Sequence, residues 1–159
     1  MKKAVFYMTV VLFSLVAEVV FLRYLKIGNV TADLFLILTA YFALKGGCIT
    51  GMNYGFFSSL VQDAFLTGPF GINPLLKTII GWIVGGLQKK IYGESVAVQA
   101  GLVFICSMLY YWGMRFINYL FRIEDGYLFM QSVLFSGYNA LVAVLIFPLI
   151  SFFMKKYVE

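Results

Sequence analysis

The sequence predicts an all-α integral membrane protein, a single polytopic domain over residues 1–159 with six transmembrane helices. Three observations carry that prediction. The chain is 62% hydrophobic and only 12% charged, with a mean hydropathy of +0.93, whereas soluble domains are about 25% charged. The apolar residues fall in runs of span length, and the loops between them are too short to build a soluble domain. Inside the runs, small residues recur every four positions, the spacing that lets helices approach closely in lipid.

The same composition narrows the function classes. The net charge is +5, but the Lys and Arg residues sit between apolar runs, where membrane orientation explains them. No basic stretch interleaves with polar aromatics, so the lipid bilayer is the expected partner and nucleic acid is not. Cys48 and Cys106 lie inside apolar runs at a spacing that fits neither a metal site nor a disulfide framework, and read as small packing residues. The chain has no His, which removes the commonest metal ligand and general base. No cofactor, metal or catalytic set is expected.

Taken in order, Lys2 and Lys3 precede a first helix over about 4–22. A signal peptide is the alternative, but the run has the length of a span and no A-x-A-like site follows it. Its one charge, Glu18, falls near its end. Arg23, Lys26, Gly28 and Asn29 form a loop. A second, short helix covers about 30–44, with Asp33 near its start, and Lys45-Gly46-Gly47 breaks it into a tight hairpin. The third helix, about 48–66, carries the stripe Gly47, Gly51, Gly55 and Ser59. The next step of four lands on Asp63, each step drifting by about 40°. Thr67 to Pro74 is dense in turn formers, and Pro74 suits the first position of a fourth helix over 74–87. That helix has Lys77 in its first turn and a second small pair, Gly81 and Gly85. The two glycine stripes are expected to pack helices.

Gln88 to Glu94 is a loop, and a fifth helix covers about 96–114. Beyond it Arg115, Asn118 and Arg122 share one face, which reads as a helix extension or a short helix in the membrane interface, ended by Glu124-Asp125-Gly126. The last helix covers about 127–154. Pro148 is expected to kink it. Asn139, mid-span, is expected to hydrogen-bond to another helix. Lys155 and Lys156 close it.

Counting positive residues alternately puts Lys2, Lys3, Lys45, Lys89, Lys90, Lys155 and Lys156 on one side and Arg23, Lys26, Lys77, Arg115 and Arg122 on the other. The positive-inside rule then places both termini in the cytoplasm. Glu18, Asp33 and Asp63 fall toward the outer side with Lys77, Arg115 and Arg122. An outer polar cluster containing Asp63, Lys77 and Glu18 is expected. It either locks the helices together or also seats a segment of a partner protein.

Several of these residues, in this order, resemble the MreD family of bacterial rod shape-determining membrane proteins. They are Asp33-Leu34 opening a span, the Lys45-Gly46-Gly47 hairpin, Gly51 to Phe56 as G-x-x-x-G-F, Asp63, and Gly68-Pro69-Phe70-Gly71-Ile72-Asn73, followed by the late Asn139 and Pro148. One departure is Ala32, where the family often has Pro. The resemblance implies a non-catalytic scaffold in the bacterial cytoplasmic (inner) membrane, part of the complex that directs lateral peptidoglycan synthesis. It implies MreC, a single-span protein, as direct partner; apart from the resemblance, the MreC span is expected to pack against glycine-lined surface, with its outer end near Arg115, Asn118 and Arg122. The MreB filament and the wall-building glycosyltransferase and transpeptidase would be complex members. It also implies a fold similar to the substrate-binding subunits of energy-coupling-factor vitamin transporters.

A small-molecule capture subunit is therefore the alternative function, with Asp63, Asn73, Lys77 and Arg115 lining a polar pocket. The A-x-x-x-A pair that such subunits carry on helix one is missing, since Met8 follows Ala4 and Phe21 follows Ala17. An enzyme is the weakest class. Ser58 and Ser59 have no His to activate them, and Asp33 and Asp63 lie in no recognisable catalytic motif.

Overall fold

A computed structural model describes residues 2–22, 30–65, 70–91, 95–122 and 129–157. Their elements are helical: α1 Lys2–Val16, continued as a π-helical turn Ala17–Leu22, α2 Leu34–Phe65, α3 Ile72–Gly86, the short α4 Gln88–Ile91, α5 Val96–Leu120 and α6 Phe129–Tyr157. Three helices, Leu34–Phe65, Val96–Leu120 and Phe129–Lys155, are long and apolar enough to cross a membrane. The loop at Arg23 and Lys26, the Gly68-Pro69 pair and the Glu124-Asp125-Gly126 stop lie outside the described residues.

Helix α2 is not one straight rod. Gly47 stands at φ 80°, ψ −171°, a backbone that glycine adopts without strain. On either side of it the chain doubles back. A Cβ on Gly51 would lie 2.5 Å from that of Ala43, and one on Gly55 would lie 3.0 Å from a methyl of Thr39. In a straight helix those pairs would stand about 12 Å and 24 Å apart. The rings of Phe42 and Tyr54 meet with centroids 4.5 Å apart. So α2 is an antiparallel hairpin with a first arm, 34–46, and a second arm, 48–65. Its turn lies at Lys45-Gly46-Gly47, where Gln88 Nε2 donates to the Lys45 carbonyl at 2.9 Å and occupies the broken end of the first arm.

The first arm is the axis of the bundle. Every residue from Ala32 to Leu44 is buried, which is why this stretch has no polar face. It begins at Leu34 rather than near residue 30, because Asp33 is its cap: the Asp33 carboxylate accepts the Leu36 N–H at 2.9 Å. The fourth helix, by contrast, begins early, at Ile72, with Pro74 in its first turn rather than at its first position. Proline is tolerated there because the first four N–H groups of a helix have no partner within it.

The second arm packs against α3 backbone to backbone. A Cβ on Gly51 would stand 2.6 Å from the Gly81 carbonyl oxygen, and one on Gly55 would stand 2.6 Å from that of Lys77. Gly85 is as tightly placed against Cys48. Gly51, Gly55, Gly81 and Gly85 are thus consumed in one internal seam. Helix α5 does not stop near residue 114. It runs through Arg115 to Leu120, so the 115–120 stretch is an extension of the fifth helix. Helix α6 starts at Phe129 and runs on through Pro148 to Tyr157. Both α5 and α6 keep wide apolar faces exposed, among them Leu109, Phe116, Leu141 and Leu145.

Candidate functional site

Lys77 is the centre of the polar interior. It is fully buried, one turn into α3. Its Nζ lies 2.6 Å from Asp33 Oδ2 and donates to Oδ1 at 2.9 Å. It also donates to Gln62 Oε1. The aromatic rings of Tyr110 and Phe35 flank it, with centroids 5.4 Å and 5.7 Å away, an arrangement that favours a cation. An ammonium this deep survives only because each of its donors meets an acceptor or a ring face.

The bonds spread from there to every long helix. Asp33 donates its backbone N–H to Asn139 Oδ1 on α6 at 2.9 Å. Asn139 Nδ2 donates to Ser107 Oγ on α5 at 2.9 Å. Gln62, on the second arm, donates Nε2 to Glu18 Oε1 at 2.8 Å, which ties in the π-helical end of α1. Glu18 Oε2 is buried without a hydrogen-bond partner among the described residues. Among the described residues the cluster therefore holds one ammonium and two carboxyl groups, Asp33 directly on the ammonium and Glu18 reached through Gln62.

Asp63 is not part of that ion pair. Its Oδ2 accepts the Gly71 N–H at 2.7 Å and its Oδ1 accepts Asn73 Nδ2 at 2.6 Å. These bonds close the connection between the second arm and α3. Asn73 Oδ1 in turn accepts the Tyr110 hydroxyl. The expected grouping of Asp63 with Lys77 is corrected here, and the reason is angular. Three steps of about 40° carry Asp63 roughly 120° around the second arm from Gly51. The neighbouring Gln62 faces Lys77 instead. Tyr110 joins the two arrangements, with its hydroxyl on Asn73 and its ring beside Lys77.

The other predicted positions fall as follows. Gly47 makes the hairpin turn, and Gly51, Gly55, Gly81 and Gly85 line the α2–α3 seam. Ser59 is buried, with no partner for its Oγ among the described residues. Arg115, Asn118 and Arg122 do not present a common contact surface. Asn118 is buried while both arginines are exposed, because Asn118 sits about 60° around the helix from Arg115 and crosses to the inward side. Gln62, Ser107 and Tyr110 are the participants that the sequence pattern does not flag. The one available signal was the four-residue spacing of Tyr54, Ser58 and Gln62.

Two cavities bear on the carrier reading. One, of about 290 Å³, is lined by residues such as Tyr41, Gln99, Phe147 and Ser151. The other, of about 460 Å³, is an apolar groove between α5 and α6 at Ala100, Gly137, Ala140 and Val144. Neither is lined by Asp63, Asn73, Lys77 or Arg115. Asp33 and Asp63 are committed to different partners, Asp33 to Lys77 and Asp63 to the Gly71 N–H, rather than to each other. Among the described residues, these polar side chains bond to one another across the helices, a geometry of helix fastening.

A family model described as rod shape-determining protein MreD matches residues 2–157. No curated protein and no solved structure matches the chain.

Proposed function

We propose, from the premise that this chain belongs to the rod shape-determining MreD family, that it is a non-catalytic membrane scaffold of the complex directing lateral peptidoglycan synthesis. It crosses the bacterial cytoplasmic membrane six times, counting both arms of α2 and α3, with both termini inside. The alternating positive charges support that orientation. The first arm is short for a span, but its neighbours encase it, so little of it meets lipid. Its direct partner is the single span of an MreC-like protein. MreB and the wall-synthesis glycosyltransferase and transpeptidase belong to the same assembly.

The observation that carries the reading is the allocation of polar and small residues. Glu18, Asp33, Gln62, Lys77 and Asn139 bond to one another across α1, α2, α3 and α6. The α2–α3 glycines are used internally. By contrast, a Cβ on Gly137 would meet nothing within 4 Å, and Gly137 lines the apolar groove between α5 and α6. Lipid does not drive helices together as water does, so a partner span needs such small-residue surface to pack closely. The MreC span is assigned to this groove.

The test is depletion of the protein with cell shape scored, alongside affinity purification of the wild type and of Gly137→Leu. Depleted cells should round up. The variant should accumulate normally and lose most of its co-purified MreC. Rod-shaped growth after depletion would remove the scaffold role, and undiminished MreC recovery would remove the groove.

A further inference from the structure

The charges of the polar cluster do not balance if both of its carboxyl groups are ionised. Among the described residues Lys77 is its cation, and Asp33 is the direct counterion, with Oδ2 at 2.6 Å and Oδ1 at 2.9 Å from the Nζ. The Leu36 N–H adds a further bond to Asp33 Oδ1. Glu18 is the second carboxyl, and it is provided for quite differently. It stands where the first helix leaves α geometry for the π-helical turn Ala17–Leu22. Turns of that kind are rare and gather at functional sites.

The hydrogen bonds fix what each Glu18 oxygen can do. An ammonium has donors only, so Gln62 must turn its amide oxygen to Lys77. That leaves the Gln62 Nε2 to donate to Glu18 Oε1 at 2.8 Å, and Oε1 is an acceptor. Oε2 is the remaining atom. It is shielded and has no hydrogen-bond partner among the described residues. No second cation is supplied by the described helices around it. The face of the second arm that carries Gln62 also carries Tyr54 and Ser58. Helix α5 contributes Ser107 and Tyr110 to the surroundings, and α6 contributes Asn139, all uncharged at neutral pH. Asp63 is turned to Gly71 and Asn73. Arg23, the next charged residue along the chain, lies outside the described residues. An ionised carboxylate in an apolar interior needs a cation or several donors, whereas a neutral carboxylic acid does not.

We infer that Glu18 binds a proton on Oε2 in the folded protein, and that this proton keeps the π-helical end of α1 seated on Gln62. With it the cluster of Lys77, Asp33 and Glu18 is neutral. Without it a second negative charge faces Asp33 in a medium of low dielectric, and one bond from a neutral amide is all that holds the end of α1. The Asp33–Lys77 pair is untouched by the change, so pH acts on the seating of α1 rather than on the whole bundle. The site is independent of the α5–α6 groove and of the scaffold reading.

The test treats the full chain, purified in detergent, with dicyclohexylcarbodiimide and locates the label by peptide mass spectrometry. This apolar reagent takes the carboxyl proton on a nitrogen while the carboxyl oxygen bonds to its central carbon, so it reports protonated carboxyl groups. Glu18 should be labelled at neutral pH, Asp33 should be spared, and the label should fade as the pH is raised. Glu18→Gln keeps the acceptor for Gln62 and carries no charge, so it should fold. Stability that rests on a bound proton is present where the proton is kept and falls as pH rises. The SDS midpoint of the wild type should therefore fall at alkaline pH, while that of Glu18→Gln should hold. The infrared band of a protonated carboxyl group should be lost in the same variant. An unlabelled Glu18, the result expected of an ionised group paired with Arg23, would overturn the inference. So would midpoints of the wild type and Glu18→Gln that fall in parallel with pH.

Discussion

Replacing Lys77 by Met tests whether the buried ion pair is what fastens the bundle. The side chains are similar in length, so the substitution removes charge and three donors without opening a large cavity. Asp33 would lose contacts of 2.6 Å and 2.9 Å and keep, among the described residues, only the Leu36 N–H on its carboxylate. Gln62 Oε1 would lose its donor. Removing one partner of a buried pair typically costs about 3–5 kcal/mol in water-soluble proteins. Polar contacts between membrane helices are worth less, about 0.6 and at most about 1.7 kcal/mol each, because the unfolded helices in lipid find other partners. Two carboxylate contacts and one amide contact together place the loss at about 2–4 kcal/mol.

The decisive comparison is with the double variant Asp33→Asn, Lys77→Met. It deletes the two charges together, so the net charge facing Glu18 is unchanged, and no bare carboxylate remains at the head of the first arm. Asparagine still caps a helix, and neutral replacement of a buried pair is often harmless. Unfolding of the purified protein by SDS titration, followed by circular dichroism, should show the double variant less destabilised than Lys77→Met alone. The coupling energy should exceed about 1.5 kcal/mol, well beyond the additivity error for independent sites. A single variant within about 0.5 kcal/mol of wild type, or two substitutions that simply add, would refute the claim that this pair holds the helices.

Three further outcomes follow from the geometry. Gly81→Ala should sharply lower the SDS midpoint and the accumulated protein, since its Cβ would meet the Gly51 backbone, while Gly101→Ala, in open space, should match or slightly exceed wild type. Asp63→Ala should cost about 1–3 kcal/mol by leaving the Gly71 N–H and the Asn73 amide without their acceptor, and protease cleavage near residues 70–73 should speed up. Asn139→Ala should cost about as much, roughly 1–3 kcal/mol, because the Asp33 N–H loses its acceptor in an apolar surround, and hydrogen exchange at that amide should rise with it.

What the sequence made legible, and what it did not, separates along one physical line. The hairpin at Gly47 was legible because only a local requirement is involved: a glycine pair interrupts an apolar run, and φ 80° excludes most other residues. The stripe Gly51, Gly55, Gly81 and Gly85 was legible because small residues at four-residue spacing have one use in lipid. The choice between Gln62 and Asp63 was not legible. Adjacent residues point about 100° apart, and which of them faces Lys77 depends on how the second arm is rotated. That rotation is fixed by the contacts of Gly51 with Gly81 and of Gly55 with the Lys77 backbone. The glycine seam therefore decides the polar cluster as well as the packing: it sets the phase that brings Gln62 to Lys77 and leaves Asp63 to close the turn. Asn118 and Arg115 part for the same reason, since the boundary between inside and outside on α5 is drawn by neighbours such as Leu76 against Gly113, which no local pattern encodes. The end of α5 was left open for another reason: an extension of the fifth helix and a separate interfacial helix read alike in the sequence. A cluster of charges signals where lipid stops, but backbone hydrogen bonds carry a helix on past that point, here to Leu120.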